Sequence, residues 1–165
     1  MLNPRRVICN LSNLSLGHLS LLALLSLLLA TDSRVGLAPI APVRAHQVQV
    51  SGEVGGMVHI GPRDNPRAGV ASQVWFALAR RGGQTIPLSD CTCQLEVYAR
   101  PRRQGDAPIL SPTLQAVSAE GRRGIPGATV TFPRAGAYEL VLRGRPVTSG
   151  RFTPFELRFP VTVAR

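Results

Sequence analysis

Two histidines and a methionine lie close together in VRAHQVQVSGEVGGMVHI, residues 43–60, with His46 directly after Ala45 and Met57 and His59 a short reach downstream. Imidazole suits Cu(II) and thioether suits Cu(I), so His46, His59 and Met57 are the candidate metal ligands of this stretch. A second candidate is DCTC, residues 90–93, where Cys91 and Cys93 are separated by one residue. Two thiolates at that spacing can hold a soft metal or be oxidised to a bridge in an exported protein. Such a bridge must bring the Cα atoms to about 5.5 Å with a specific torsion. Structural zinc is not expected, because a closed site wants four ligands and no second cysteine pair exists. Each residue also has a plain reading: His59 as a solvent-facing strand residue, Met57 as filler, His46 as the start of a domain, and the cysteines as one buried and one loop residue.

The elements that would position these residues begin after a leader. Arg5 and Arg6 precede a run from Leu16 to Ala30 made almost wholly of leucine, alanine and serine, with no charged residue. That is the pattern of a helical secretory signal segment. The run is shorter than the roughly 20 apolar residues that span a bilayer, and Gly17, His18 and several serines interrupt it. Membrane attachment is expected only if the segment stays uncleaved. Val43–Ala45 fits the small-x-small cleavage pattern, with Thr31, Ser33 and Ala38 as earlier alternatives. The expected division is a signal peptide and short linker over 1–45 and one domain over 46–165, a length that suits a single modest core. Cys9 and His18 leave with the leader.

The formal net charge is +10 and every basic residue is arginine. The arginines are scattered, and the pairs Arg102–Arg103 and Arg122–Arg123 have no aromatic stacking platform beside them, so no nucleic-acid partner is expected. Enzymatic chemistry lacks its parts. No GxSxG or HExxH occurs, and Asp64, Asp90 and Asp106 fall in turns, where aspartate normally caps backbone.

After residue 45 the apolar period is two. SGEVGG reads as a turn; with Val50 across from Val58, the aliphatic residues Val48, Val50, Val58 and Ile60 share the core face, and Gln49, Ser51, Met57 and His59 face away. On that register His46 falls opposite in sense to His59. SQVWFALARR reads as a central strand carrying Trp75 inward, and CQLEVYAR places Cys93, Leu95 and Val97 inward against Gln94, Glu96 and Tyr98. A long proline-rich connection follows, then GATVTF (127–132), GAYELVLRG (136–144) and a C-terminal strand with Phe155, Leu157, Phe159, Val161 and Val163 on one face. Seven to eight short strands punctuated by turns predict an all-β fold, an antiparallel immunoglobulin-like β-sandwich.

FPRAGAYELVLRG, with Tyr138 entering a penultimate strand, resembles the tyrosine-corner region of immunoglobulin-like domains. Leu140 stands where the antibody pattern has a cysteine. With DNPRAGVASQVWFAL and the GG turn before Pro87, the domain resembles exported sandwiches of the YtkA-like and CopC-like type. That resemblance implies copper chemistry, in which a mature N-terminal histidine gives amine and imidazole to one Cu(II) ion and further imidazoles complete the site. Only His46 matches the terminal role, and His59 could supply a second imidazole. The expectation is a non-enzymatic periplasmic or secreted binding or accessory domain with copper as its candidate ligand; the alternative is a structural or protein-interaction module without metal.

In a cell with a working secretion system, the mature chain should begin between Thr31 and His46. Mass spectrometry of its N-terminus checks this, and recovery of soluble, full-length cytosolic protein would refute it.

Overall fold

Strand alternation decides the layout of the protein, which a computed structural model describes over residues 47–165. The leader, its cleavage sites and His46 lie outside the described residues. The strands are β1 (Val48–Ser51), β2 (Val54–Ile60), β3 (Ala71–Arg80), β4 (Cys91–Ala99), β5 (Gln115–Ala119), β6 (Arg122–Thr131), β7 (Gly136–Pro146) and β8 (Phe155–Val163), with one 3-10 turn, Leu88–Asp90, before β4. They form two antiparallel sheets, of five strands in the order β1-β2-β3-β6-β5 and of three in the order β4-β7-β8. This is the expected β-sandwich.

The core lies between the sheets. In β8, Phe155, Leu157, Phe159, Val161 and Val163 are all buried, as their alternation requires, while Arg158, Pro160 and Thr162 are exposed. Opposite them β3 contributes Val74, Phe76 and Leu78, and Phe76 meets Phe159 across the sandwich at 5.7 Å between ring centroids. β4 and β7 add Leu95, Val97, Tyr138, Leu140 and Leu142. The Tyr138 hydroxyl donates to the Arg134 carbonyl at 2.8 Å and accepts from the Arg134 amide at 3.3 Å, so the tyrosine corner forms as expected. Tyr138 thereby satisfies loop backbone while its ring packs against Phe132.

Three expectations change. The first hairpin is tighter than SGEVGG suggested: Ser51 pairs with Val54, leaving only Gly52 and Glu53 to turn. Gly52 has φ +61°, the positive value that the first central position of a type II′ turn takes and that glycine adopts without strain. Val50 therefore pairs with Gly55, not Val58, and Val48 with Met57. This slip of three positions is odd, so it sends Val48 and Val50 to the outer face, where they are exposed. Gly56 takes the inward place, where a Cβ would collide with Leu157 and Leu78, so its lack of a side chain lets β8 approach.

The second change concerns Trp75. Its neighbours Val74 and Phe76 are fully buried, and adjacent strand residues point to opposite faces. Trp75 is thus on the outer face and half-buried. The third is β5, which follows the proline-rich connection of residues 100–114 in a stretch where no strand was expected. QAVSA has a single large apolar residue and no buried position, so its pattern is weak. β6 in turn begins at Arg122 rather than at 127. Its ladder with β3 ends at Trp75–Gly127, directly before Pro126, which has no N–H to give a neighbouring strand.

Replacement of Phe76 by alanine should cost about 3–5 kcal/mol of unfolding free energy. Trp75→Ala should cost less than half as much, which paired denaturant titrations will measure.

Candidate functional site

Residues directly opposite on neighbouring strands share a face, so β2 and β3 set three pairs in a row on the outer side of the five-stranded sheet: Gly55–Ala79, Met57–Ala77 and His59–Trp75. The two rings of the last pair stack flat, with centroids 3.9 Å apart and planes 6° from parallel. His59 Nδ1 lies 3.7 Å from Oε1 of Glu120, which stands in the β5–β6 turn. In the plane of the sheet, β3 and β6 separate β2 from β5. The tip of the β5–β6 hairpin must therefore lean over the outer face for Glu120 to reach His59. Arg122, 3.6 Å from Glu120 Oε2, lines the same face beside Met57 and Val48.

This covering explains why His59, expected toward solvent, is only 7 % exposed. It points away from the main core, as expected, yet it is shielded by Trp75 on one side and approached by the hairpin tip. Met57 lies two residues away on the same face and is half-buried. The structure thus brings Met57 and His59 onto one surface and adds Trp75 and Glu120, which sequence reasoning missed. The parity of Val74, Phe76 and Leu78 was a readable signal for Trp75. Nothing local pointed to Glu120, whose place depends on a hairpin that bends out of the sheet.

Cys91 and Cys93 belong to the other sheet. Their sulfurs are joined, with Cα atoms 5.2 Å apart, within the span a bridge allows. Of the alternatives left open, the bridge is the one present, and a bridged pair has no thiolate to offer a soft metal. Cys91 is buried and Cys93 packs partly against the core. Among the described residues, no group of three His, Cys, Asp or Glu side chains could hold a metal ion.

The outer face of the three-stranded sheet carries a different kind of chemistry. Glu139, with a side chain 10 % exposed, lies 3.1 Å from Arg100, 3.0 Å from Arg102 and 3.6 Å from Arg158. The Arg102 guanidinium also sits 4.0 Å above the Tyr98 ring. Arg143 bridges Glu96 and Glu156, and Arg158 adds a 2.6 Å contact to Glu156. A hydrogen bond from the Tyr98 hydroxyl, at 2.7 Å, is the main cause that lowers the Glu96 pKa from its ordinary value, with Arg143 assisting. Partial burial of Glu156 works against its charge, but hydrogen bonds from Arg158 and Arg143 outweigh it and the pKa is again lowered. On this face arginines and glutamates pair with one another throughout, although the buried Glu139 Oε2, close to Arg102 and Arg158, accepts no hydrogen bond.

Comparison with known proteins supports the architecture. A DUF4426 family protein from Pseudomonas aeruginosa PAO1 superposes with a TM-score of 0.52 at 8 % identity, over 74 % of this chain and 98 % of that one. FetP of uropathogenic Escherichia coli strain F11 gives 0.48 at 15 % identity, over 73 % and 94 %. No protein-family model matches the chain, and no curated protein matches it. The first likeness shows a shared sandwich fold.

The glutamate network yields a pH dependence. Glu96 and Glu156 have folded pKa values below the ordinary 4.5, so the stability they contribute is fully present above that value and is lost as pH falls through the folded values. Unfolding free energy should therefore decline in acid below that point, and the decline should be shallower in a Glu96→Gln/Glu156→Gln variant. Denaturant titrations across the acid range will test this.

Proposed function

We propose that the protein is an exported, non-enzymatic binding domain that works through the outer face of its five-stranded sheet, and that its specific task is to bind Cu(II) with a mature N-terminal His46 and His59. The supporting observation is the register of the first hairpin. Val48 faces Met57 and Gln49 faces Gly56, so β1 runs beside the outer face on which Met57 and His59 lie. The register from which the two imidazoles were expected to diverge, with Val50 across from Val58, is not the one that forms.

The donor set bears on the metal directly. The described residues offer one imidazole from His59, one carboxylate from Glu120 and one thioether from Met57. That is short of a Cu(II) site, which fits only when a terminal amine and a second imidazole are added. A terminal histidine would supply both. The copper would be cargo held by nitrogen donors, and this chain's part would be to hold the His59 ring in place, which the flat stack on Trp75 does.

Export is supported by the Arg-flanked leucine-rich segment and by the Cys91–Cys93 bridge, which suits an oxidising compartment. Periplasmic or secreted localisation follows from this reading. The alternative, a metal-free protein-interaction module, draws on the edge strand β1, where Val48 and Val50 are 59 % and 70 % exposed.

Three forms separate the readings: one beginning at His46, one with an extra residue before it, and a His59→Ala variant of the first. Joint ligation predicts that either change weakens Cu(II) binding more than tenfold, about 1.4 kcal/mol. It also predicts that Cu(II) quenches the fluorescence of Trp75, the single tryptophan. If the extra residue weakens binding and His59→Ala leaves it unchanged, the site is generic terminal chelation and the interaction module stands.

A further inference from the structure

Beside the His59–Trp75 pair, the outer face of the five-stranded sheet sinks into an open groove of about 410 Å³, within the size range of small-ligand sites. Its floor is made by small residues, Gly55, Ala77 and Ala79, which follow one another on β2 and β3. Val48 and Val50 of β1 wall one side, and Arg122 of the hairpin tip lines it as well. Arg80 and Arg81 line it where β3 ends. The groove is therefore apolar along its length and basic at its rim.

The arginines here differ from those of the three-stranded sheet. Arg80 donates to the Gln84 side chain at 3.2 Å, and among the described residues neither Arg80 nor Arg81 makes an ion pair with a carboxylate. Glu53, the one acid lining the groove, accepts a hydrogen bond from the Thr153 amide at 3.0 Å. We propose that the groove binds a single-chain amphiphile with an anionic head, such as a medium-length fatty acid, with the alkyl chain over Ala77 and Ala79 and the carboxylate at Arg80 and Arg81.

Charge and hydrogen bonding choose this occupant. The backbone of the floor is already paired in the β2–β3 ladder, so a peptide laid along it would leave its own amides and carbonyls without partners, at a cost an alkyl chain avoids. The linker ahead of the domain, residues 31–45, carries Arg34 and Arg44 against one acid, Asp32, and so has the same sign as the rim. A second copy would set arginines against arginines. A carboxylate on an apolar chain satisfies both halves of the groove. The proposal does not depend on copper, since none of the groove residues it uses is His46 or His59.

The test is calorimetric titration of the protein as its cell makes it, with a metal chelator present, so that failure of the copper reading has no bearing. Decanoate should bind saturably, one per chain, and decyltrimethylammonium at least tenfold more weakly. Arg80→Gln/Arg81→Gln should weaken decanoate at least tenfold and leave decanol unchanged. Ala77→Leu, which fills the floor from the outer side, should abolish binding of both with the circular dichroism spectrum intact. Equal affinity for the anionic and cationic amphiphiles, tighter binding of an acidic leucine-containing peptide, or the lack of saturable decanoate binding would each overturn the proposal.

Discussion

A turn of two residues, Gly52 and Glu53, determines what the outer face of this sandwich can do. Because β2 follows β1 so soon, the ladder pairs Val48 with Met57 and Val50 with Gly55. Any loop that altered the pairing by an odd number would send the valines to the core and leave the face without its apolar wall. The same parity runs on into β3, whose inward Val74, Phe76 and Leu78 oblige Trp75, Ala77 and Ala79 to look outward. The stack, the groove and the position of Met57 all follow from how two adjacent strands count.

That dependence explains which parts of the fold were legible. β8 puts an apolar residue at every second position from Phe155 to Val163, so its buried face could be listed from the sequence, and Tyr138 announced its corner through the proline and glycine before it. The first hairpin was harder, since a loop of six and a loop of two are both compatible with SGEVGG, and only the register distinguishes them. β3 is apolar on both faces. Burial of Phe76 and partial exposure of Trp75 then rest on which parity carries more aliphatic volume, and the larger ring was the wrong guide. β5 has almost no pattern to read, because an edge strand with no buried position is not required to alternate. His59 was correctly sent to the outer face, but its burial comes from Trp75 and from a turn some sixty residues downstream.

The two outer faces apply the same basic composition to opposite ends. On the three-stranded sheet, arginines pair with Glu139, Glu96 and Glu156, and hydrogen bonds lower the pKa values of the last two. Such a surface gains little from an added anion, because each guanidinium would have to give up a carboxylate first. On the five-stranded sheet, Arg122 pairs with Glu120, but among the described residues Arg80 and Arg81 have no carboxylate partner and stand beside apolar floor. Scattered arginines in the sequence thus separate into a structural set and a set with capacity to bind, a division set by which strands carry glutamate.

The hairpin that shields His59 is held by packing more than by charge. Glu120 is 51 % exposed where it approaches His59 and Arg122, and exposed ion pairs contribute about 0–1 kcal/mol. Ile125, by contrast, is fully buried although it lies outside the main core cluster, and burying such a side chain is worth about 1.5–3 kcal/mol. Gly124 lies near Pro87, where an added Cβ would make only ordinary contact at 3.8 Å. Pro126 ends the ladder to β3 and frees the strand to bend, Ile125 and Gly124 then anchor it on the 3-10 segment and the sheet, and Glu120 arrives at His59 as the consequence. The His59–Glu120 contact therefore reports where the hairpin lies; it does not put it there.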